Sequence, residues 1–226
     1  MVSRLFVIIL AATLCGSTIH AQTKAPAAPA APSTGFLLLD IAGNGYKLTT
    51  SEAGVKFDVN GDGKLEQVAW TTAGTDDAFL AIDLNHNGKI DNGTELLGTY
   101  FSKADGVRAA NGLEALLDLH KHSGVTKFSN IDSTSPLYTQ LLVWVDANHN
   151  GISEPQELRT LAEAGVVELR LNYTTINDAP DAGGNRVLLK AQAMVRNRSM
   201  APVSGGLDKS PVFLRDLSHI DLSLQK

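Results

Sequence analysis

One acidic pattern occurs three times in this 226-residue chain and constrains its fold more than any other feature. Residues 57–66 read FDVNGDGKLE, residues 82–91 read IDLNHNGKID, and residues 145–154 read VDANHNGISE. Each copy places Asp, Asn and then Asn or Asp at alternate positions, and a glycine follows at once. Alternate oxygen donors that end in a glycine turn are typical of a tight loop around a hard divalent cation. The sequence therefore predicts three loops with one shared chemistry.

The spacing within each loop assigns the oxygen donors. Ca²⁺ needs about six to eight oxygens, which come from side chains at positions 1, 3 and 5, a carbonyl at position 7 and carboxylates at positions 9 and 12. In the loop that begins at Asp146, Glu157 stands at position 12, where a bidentate carboxylate belongs. In the loop that begins at Asp83, position 12 is Thr94, so we expect Glu95 to take that role. The predicted ligands are Asp58, Asn60, Asp62, the Lys64 carbonyl and Glu66; Asp83, Asn85, Asn87, the Lys89 carbonyl, Asp91 and Glu95; and Asp146, Asn148, Asn150, the Ile152 carbonyl, Glu154 and Glu157.

The loop that begins at Asp58 has Ala69 at position 12, so its closing carboxylate must come from elsewhere, and Asp76 or Asp77 is the candidate. An apolar residue shortly after each glycine is expected to anchor the loop in the core. These residues are Leu65, Ile90 and Ile152. Because asparagines dilute the negative charge of the loops, we expect Ca²⁺ affinities in the ~10⁻⁴–10⁻³ M range of extracellular modules.

Other interpretations of the same residues stay open. Asp and Asn side chains form turns without any metal, because they accept hydrogen bonds from nearby backbone N–H groups. Mg²⁺ is a second competitor, although it prefers octahedral sites that keep water ligands. His120 and His122 form an H-x-H pair that could bind Zn²⁺, but no further ligand stands at a recognisable spacing, so we expect a solvated helix end. His86 and His149, at position 4 of their loops, are expected to point outward.

The N-terminal residues predict export from the cytoplasm. A basic residue precedes an apolar run over residues 5–14, and Ala21 offers a cleavage site, so residues 1–21 are predicted to be a signal peptide. This run is too short to cross a bilayer, which needs about 20 residues, and no transmembrane helix is expected. A lipoprotein would use Cys15, but Leu14 stands where a small residue should precede it. We expect a secreted or periplasmic protein.

Composition and motifs narrow the function further. A formal net charge of -5 and a pI near 5.6 leave no basic surface for phosphate contacts, so no nucleic-acid partner is expected. The chain contains no nucleophile-elbow, H-E-x-x-H or phosphate-loop motif, so we expect a protein that is not an enzyme.

Local patterns predict an α+β fold of short strands and short helices joined at strand-loop-helix corners. Short apolar runs between turn residues predict strands over residues 36–41, 54–59, 65–71, 78–84, 166–173, 186–196 and 212–217. Leucine spacing, Ser-Pro and a first-turn proline predict helices near residues 113–119, 135–142 and 153–165. Trp70 and Trp144 are expected to pack in the core. Residues 22–34 form an Ala/Pro-rich linker, and residues 35–226 form the calcium-binding domain.

Five blocks in a fixed order carry a family resemblance: FDVNGDGKLEQVAW, FLAIDLNHNGKIDNGTELLG, GLEALLDL, LLVWVDANHNGISEPQELRTLAEAG and VVELRLNY. They cover roughly residues 36–173 and resemble a bacterial secreted calcium-binding module with EF-hand-like loops, of the kind found beside haemolysin-type (RTX) repeats. The resemblance implies Ca²⁺-bound loops in a compact α+β module without catalytic machinery. Two family loops look degraded here and are not counted as sites: residues 40–45 have alanine at position 3, and residues 119–124 carry histidines in place of acids.

These observations predict a secreted or periplasmic protein whose loops bind two or three Ca²⁺ ions, mainly to stabilise the fold. The alternative is a calcium-dependent interaction or adhesion module whose C-terminal strands bind an extracellular or cell-envelope partner. A hydrolase is the third possibility.

Overall fold

The computed structural model describes residues 34–124, 130–196 and 210–225. The predicted signal peptide and the linker up to residue 33 lie outside the described residues. Within them, strands account for 35% of residues and helices for 9%. The elements in chain order are β1 (Gly35–Asp40), β2 (Val55–Phe57), β3 (Glu66–Val68), β4 (Asp77–Ile82), α1 (Gly112–His122), β5 (Ile131–Asp132), a 3₁₀-helix (Pro136–Thr139), β6 (Leu141–Trp144), β7 (Leu158–Thr160), β8 (Val166–Leu169), β9 (Thr174–Thr175), β10 (Arg186–Arg196) and β11 (Val212–Asp221).

One antiparallel sheet dominates the fold and curls into a half-barrel. Its strands lie in the order β5-β8-β10-β11-β1-β4-β6-β7, and β9 pairs with β10. Strand β1 lies at the centre, where Leu38 pairs with Ser218 of β11 on one side and with Phe79 of β4 on the other. Strands β2 and β3 form a separate hairpin. The predicted α+β class is therefore wrong, because the described residues form a mostly β fold.

Strand β1 is apolar along its whole length because both of its faces are covered. Leu37 and Leu39 face a core that also contains Leu113 and Leu116 of α1. Phe36, on the opposite face, belongs to a second core built largely from aromatic rings. In that second core Trp70 lies between its neighbours with ring-centroid distances of 4.2 Å to Phe79, 5.0 Å to Phe57 and 5.5 Å to Trp144. The prediction that Trp70 and Trp144 are core residues is confirmed, since both are fully buried.

The helix predicted over residues 153–165 does not form. Instead, β7 pairs antiparallel with β6, with Leu158 opposite Trp144. The sequence carries genuine helix signals there, namely Pro155 in a first-turn position and leucines three residues apart. Tertiary context overrides them because β6 offers an unpaired edge, and the hydrogen bond from the Val145 N–H to the Glu157 carbonyl (3.1 Å) already returns the chain along β6.

All three repeated loops consequently connect antiparallel segments, and none is a strand-loop-helix corner. The loop at Asp58 joins β2 to β3, and the loop at Asp146 joins β6 to β7. After the loop at Asp83 the chain returns along β4, where Leu97 N donates to the Leu80 carbonyl at 2.9 Å. Closing such a loop therefore closes a β-hairpin.

The other predicted elements are largely present. The helix near residues 113–119 is confirmed as α1, whose first turn is capped by the side chain of Asn111. Residues 135–142 form only the short 3₁₀-helix before β6 begins. Strands β8, β10 and β11 confirm the predicted C-terminal strands. No helix in the described part of the chain is long and apolar enough to span a membrane.

Candidate metal centre

The first aspartate of each repeated loop holds the backbone in the same way. One carboxylate oxygen accepts the N–H of position 5 at 3.1–3.2 Å, and the other accepts the N–H of position 6 at 2.7–2.9 Å. The participating groups are Asp58 with Asp62 and Gly63, Asp83 with Asn87 and Gly88, and Asp146 with Asn150 and Gly151. The three loops therefore share one backbone path as well as one motif.

That backbone path requires two residues with positive φ. The position 6 glycines adopt φ of 82°, 79° and 70°, a region that glycine enters without steric cost. At position 4 the loops contain Gly61, His86 and His149, and the two histidines have φ of 57° and 60°. They are the two non-glycine residues with positive φ in the described ranges. Histidine is among the side chains that tolerate this conformation better than most.

The two histidines differ in their surroundings. His86 is exposed, as predicted. The outward orientation predicted for His149 is wrong, because its Nδ1 lies 2.7 Å from the carbonyl oxygen of Thr71 and its Nε2 lies 2.9 Å from that of Ala53. These contacts tie the loop at Asp146 to the backbone that flanks the β2–β3 hairpin.

Two buried glutamates close their loops in equivalent ways. Glu157 is 4% exposed and accepts the N–H of Ala147 at 2.9 Å, whereas Glu95 is 3% exposed and accepts the N–H of Leu84 at 3.1 Å. Both acceptor contacts are to position 2 of the loop. The structure therefore places Glu95 where Glu157 stands, although Glu95 is one residue further along its loop. Burial raises the pKa of Glu157, and its contact with the Glu154 carboxyl group and the nearby charge of Asp146 act in the same direction.

Carboxylates at position 9 are bound by amides across the loop. Asp91 Oδ2 accepts the amide N–H groups of Asn85 at 2.8 Å and Asn87 at 2.7 Å. Glu154 receives the amide of Asn150 at 2.8 Å, a contact that is the largest cause of its lowered pKa. The Asn87 amide oxygen accepts a backbone N–H at 2.9 Å, and an amide oxygen has a second lone pair for another partner. Oxygen donors thus converge on each loop, and none of the predicted ligands is a nitrogen or sulfur donor.

The loop at Asp58 is closed differently. Glu66, at position 9, accepts the N–H of Val59 at position 2 at 3.1 Å, so it contacts the backbone group that the buried glutamates contact in the other loops. The proposed closing residues Asp76 and Asp77 do not lie there. Each binds instead to the loop at residues 40–45, because Asp77 begins β4, which pairs with β1 at Asp40.

Residues 40–45 form a fourth loop of the same kind, which the sequence reasoning dismissed because of Ala42. Asp40 accepts the N–H of Asn44 at 3.1 Å and that of Gly45 at 2.8 Å, the same pair of contacts as in the three repeats. Asn44 donates its amide to Asp76 at 3.0 Å. Equal spacing of Asp, Asn and Gly was the available signal, whereas the contribution of residues 76 and 77 could be found only from strand pairing.

The repeated loops contact one another. The Ser153 hydroxyl lies 2.7 Å from the Ile90 N and 3.2 Å from the Ile90 carbonyl oxygen, which links the loops at Asp83 and Asp146. The Gly93 N–H donates to the Asp58 carbonyl at 2.8 Å. Of the predicted apolar anchors, Ile90 is buried as expected, but Leu65 is 65% and Ile152 is 62% exposed. The anchor at position 8 of the last loop is the buried Ser153.

The histidine pair near the end of α1 is not a solvated helix end. His120 is fully buried, and His122 lies on the exposed side with Nδ1 2.8 Å from the Asp118 carbonyl oxygen. Neither belongs to a group of three potential metal ligands among the residues the structure describes. The pair therefore has no zinc geometry in that part of the chain.

Comparison with known proteins identifies the family. Residues 37–204 match the SPM domain family. The chain belongs to that family. A 143-residue stretch is 38% identical to a protein named iron-regulated protein FrpA from Neisseria meningitidis serogroup C. The match spans 62% of this chain but only 12% of the length of that relative. The resemblance to a module beside RTX repeats is a separate prediction and stays one.

Proposed function

We propose that this SPM domain protein binds Ca²⁺ through the loops at Asp58, Asp83 and Asp146, mainly to stabilise its fold. The observation that supports this most is the shared frame of the three loops: one aspartate organises the same N–H groups each time, and carboxylate and amide oxygens surround the loop. Oxygen-only donor sets suit hard cations, and flexible sets of six or more favour Ca²⁺ over the smaller Mg²⁺. The proposed role is binding and not catalysis.

Stabilisation is expected because each loop closes a β-hairpin. An ion that binds the folded loop but not the unfolded chain stabilises the folded state by an amount set by its concentration and Kd. It also offsets the cost of burying Glu95 and Glu157, whose carboxylates are almost fully removed from water. Asparagines in the loops lower the charge and hence the expected affinity, which suits an exported protein in a medium rich in Ca²⁺. We therefore propose a secreted or periplasmic location.

A thermal melt of chelator-stripped residues 22–226 tests the proposal. A site with Kd near 0.1 mM adds about 2.7 kcal/mol at about 10 mM Ca²⁺, which is about 5–10 °C for a domain of this size. We expect a rise of at least that size with Ca²⁺ and little change with Mg²⁺. The variant Asp178→Asn removes an exposed carboxylate outside the loops and should respond like the parent protein. A flat Ca²⁺ titration would reduce the loops to metal-free turns.

A calcium-dependent interaction module is the second candidate. It is favoured by two exposed apolar residues on β11, Phe213 (40% exposed) and Leu214 (49% exposed), and by the small share of the longer relative that the match occupies. Extracellular or cell-envelope proteins would be the partners. Pull-downs with the parent and with Phe213→Ser, each with Ca²⁺ and with chelator, separate this function from simple stabilisation. A partner retained by the parent only with Ca²⁺ and lost in the variant would support it.

A further inference from the structure

The fourth loop, at residues 40–45, contains the densest acidic cluster in the described ranges. Asp40, Asp76 and Asp77 each bring one carboxylate oxygen to within 4.8 Å of the others, and no other group of three potential His, Cys, Asp or Glu ligands does so among the residues the structure describes. Asp40 and Asp77 are 2% and 1% exposed. Two chain segments therefore meet here, one at the end of β1 and one at the start of β4.

Asp77 supplies a second observation, independent of the clustering. One of its carboxylate oxygens accepts the N–H of Lys47 at 2.8 Å, whereas Oδ1 is buried and has no hydrogen-bond partner in the described part of the chain. A buried acceptor without a donor costs about 1–3 kcal/mol, and more when it is charged. Burial raises the pKa of Asp77 to about 6, and the charges of Asp76 and Asp40 add to this effect. The site thus contains an oxygen that lacks a positively polarised partner.

Side-chain cations of the protein do not fill this role. Among the described residues, no lysine, arginine or histidine nitrogen forms an ion pair with Asp40, Asp76 or Asp77. Arg215 comes close to the loop, but its Nε donates to the Ile41 carbonyl at 2.9 Å and its guanidinium stacks on Phe213 at 5.0 Å. Arg215 therefore holds the loop backbone and leaves the carboxylates to another partner.

We infer that Asp40, Asp76 and Asp77 bind a hard divalent cation, with Ca²⁺ as the expected ion. Three carboxylates carry more negative charge than the Asn-diluted repeats, and metals with a preference for oxygen ligands suit such a set. The ion would join the end of β1 to the start of β4, next to the centre of the sheet. This site uses none of the residues of the three repeats, so it stands or falls separately from the proposed function.

Glycine amides give a site-resolved test by ¹H–¹⁵N NMR of chelator-stripped residues 22–226 titrated with CaCl₂. The position 6 glycines Gly45, Gly88 and Gly151 report on different loops, because each N–H donates to the first aspartate of its own loop. In the parent protein we expect a saturable shift of the Gly45 resonance. In Asp77→Asn we expect that shift to disappear, or its apparent Kd to rise at least tenfold, while Gly88 and Gly151 respond as before.

The outcomes are distinguishable. A silent Gly45 in the parent, with Gly88 and Gly151 responding, would overturn this inference and leave the proposed function intact, whereas silence of all three would overturn both. An unchanged Gly45 response in Asp77→Asn would also overturn it. If that variant does not fold, Asp76→Asn, at a less buried position, should show the same loss.

Melting provides a second measurement on the same Asp77→Asn variant. Without Ca²⁺ it should melt higher than the parent, because it removes a buried negative charge, and it should gain less from Ca²⁺. A variant that melts lower than the parent in chelator and gains equally from Ca²⁺ would mark Asp77 as a purely structural acceptor and contradict the inference.

Discussion

The loops at Asp146 and Asp58 share a motif and a backbone path but differ in how they are closed. At Asp146 a dedicated glutamate, Glu157, is 4% exposed and reaches back to position 2 of the loop. At Asp58 the position 9 residue Glu66 makes that contact itself and is only half-buried. The difference shows that the motif specifies the turn, whereas the quality of the binding site depends on whether the following strand buries a second carboxylate.

The largest effect in this comparison should come from Glu157→Ala. The substitution leaves buried N–H groups, including that of Ala147, without an acceptor, which costs about 1–3 kcal/mol in chelator. Loss of one ion with Kd near 0.1 mM would remove about 2.7 kcal/mol more at about 10 mM Ca²⁺. Urea unfolding of parent and variant, with and without Ca²⁺, measures both parts. An equal Ca²⁺ increment in the two proteins would exclude Glu157 as a ligand.

Acid should destabilise the fold by a route outside both loops. Burial lowers the pKa of His219 to about 4, and its Nδ1 accepts the Gly112 N–H at 3.2 Å, so the neutral ring is the native form. The native state then binds fewer protons than the unfolded state between pH 6.5 and about 4, so stability is lost as pH falls through that window, by about 3 kcal/mol in total.

The variant His219→Asn isolates this contribution. It keeps an acceptor near Gly112 but cannot titrate, so the pH dependence of its unfolding free energy should be shallower than that of the parent between pH 7 and pH 4.5. Measured in chelator, the difference reports on His219 without the ions. Parallel pH profiles would contradict a neutral buried His219.

The contact between loops should matter less than the closing carboxylate. Ser153→Ala removes the hydroxyl that lies 2.7 Å from Ile90 N, which leaves a buried backbone donor unpaired and costs about 1–2 kcal/mol. We also expect weaker Ca²⁺ binding at both loops that the hydroxyl joins, as read from the Gly88 and Gly151 amides. A change confined to Gly151 would mean that the two loops bind independently.

The smallest effect is expected from Glu66→Ala in the loop at Asp58. Its side chain is half-buried, so water can replace the lost contact with the Val59 N–H, and we expect a loss of about 0.5–1 kcal/mol in chelator. Urea unfolding beside Glu157→Ala measures the comparison directly. A loss as large as that of Glu157→Ala would show that the two loops are closed equally well.

Much of the candidate site was predictable because its determinants are local. Spacing of Asp, Asn and Gly identified the loops, and hydrophobic runs identified β1, β4, β10 and β11. The helix at residues 153–165 was predicted wrongly because the edge of β6, which is distant in sequence terms from the helix signals, captured residues 158–160 as β7. Similarly, the role of Asp76 and Asp77 depended on the pairing of β4 with β1.

By itself, the sequence determined where the chain turns and which oxygens stand at the turns, because side-chain hydrogen bonds of Asp and Asn act over a few residues and glycine alone enters the required conformation freely. Tertiary structure alone decided which carboxylates are buried beside those turns, that the loops lie within hairpins, and that Asp77 meets Asp40. These features depend on strand pairing between residues far apart in the chain, and no local pattern encodes the partner of a strand.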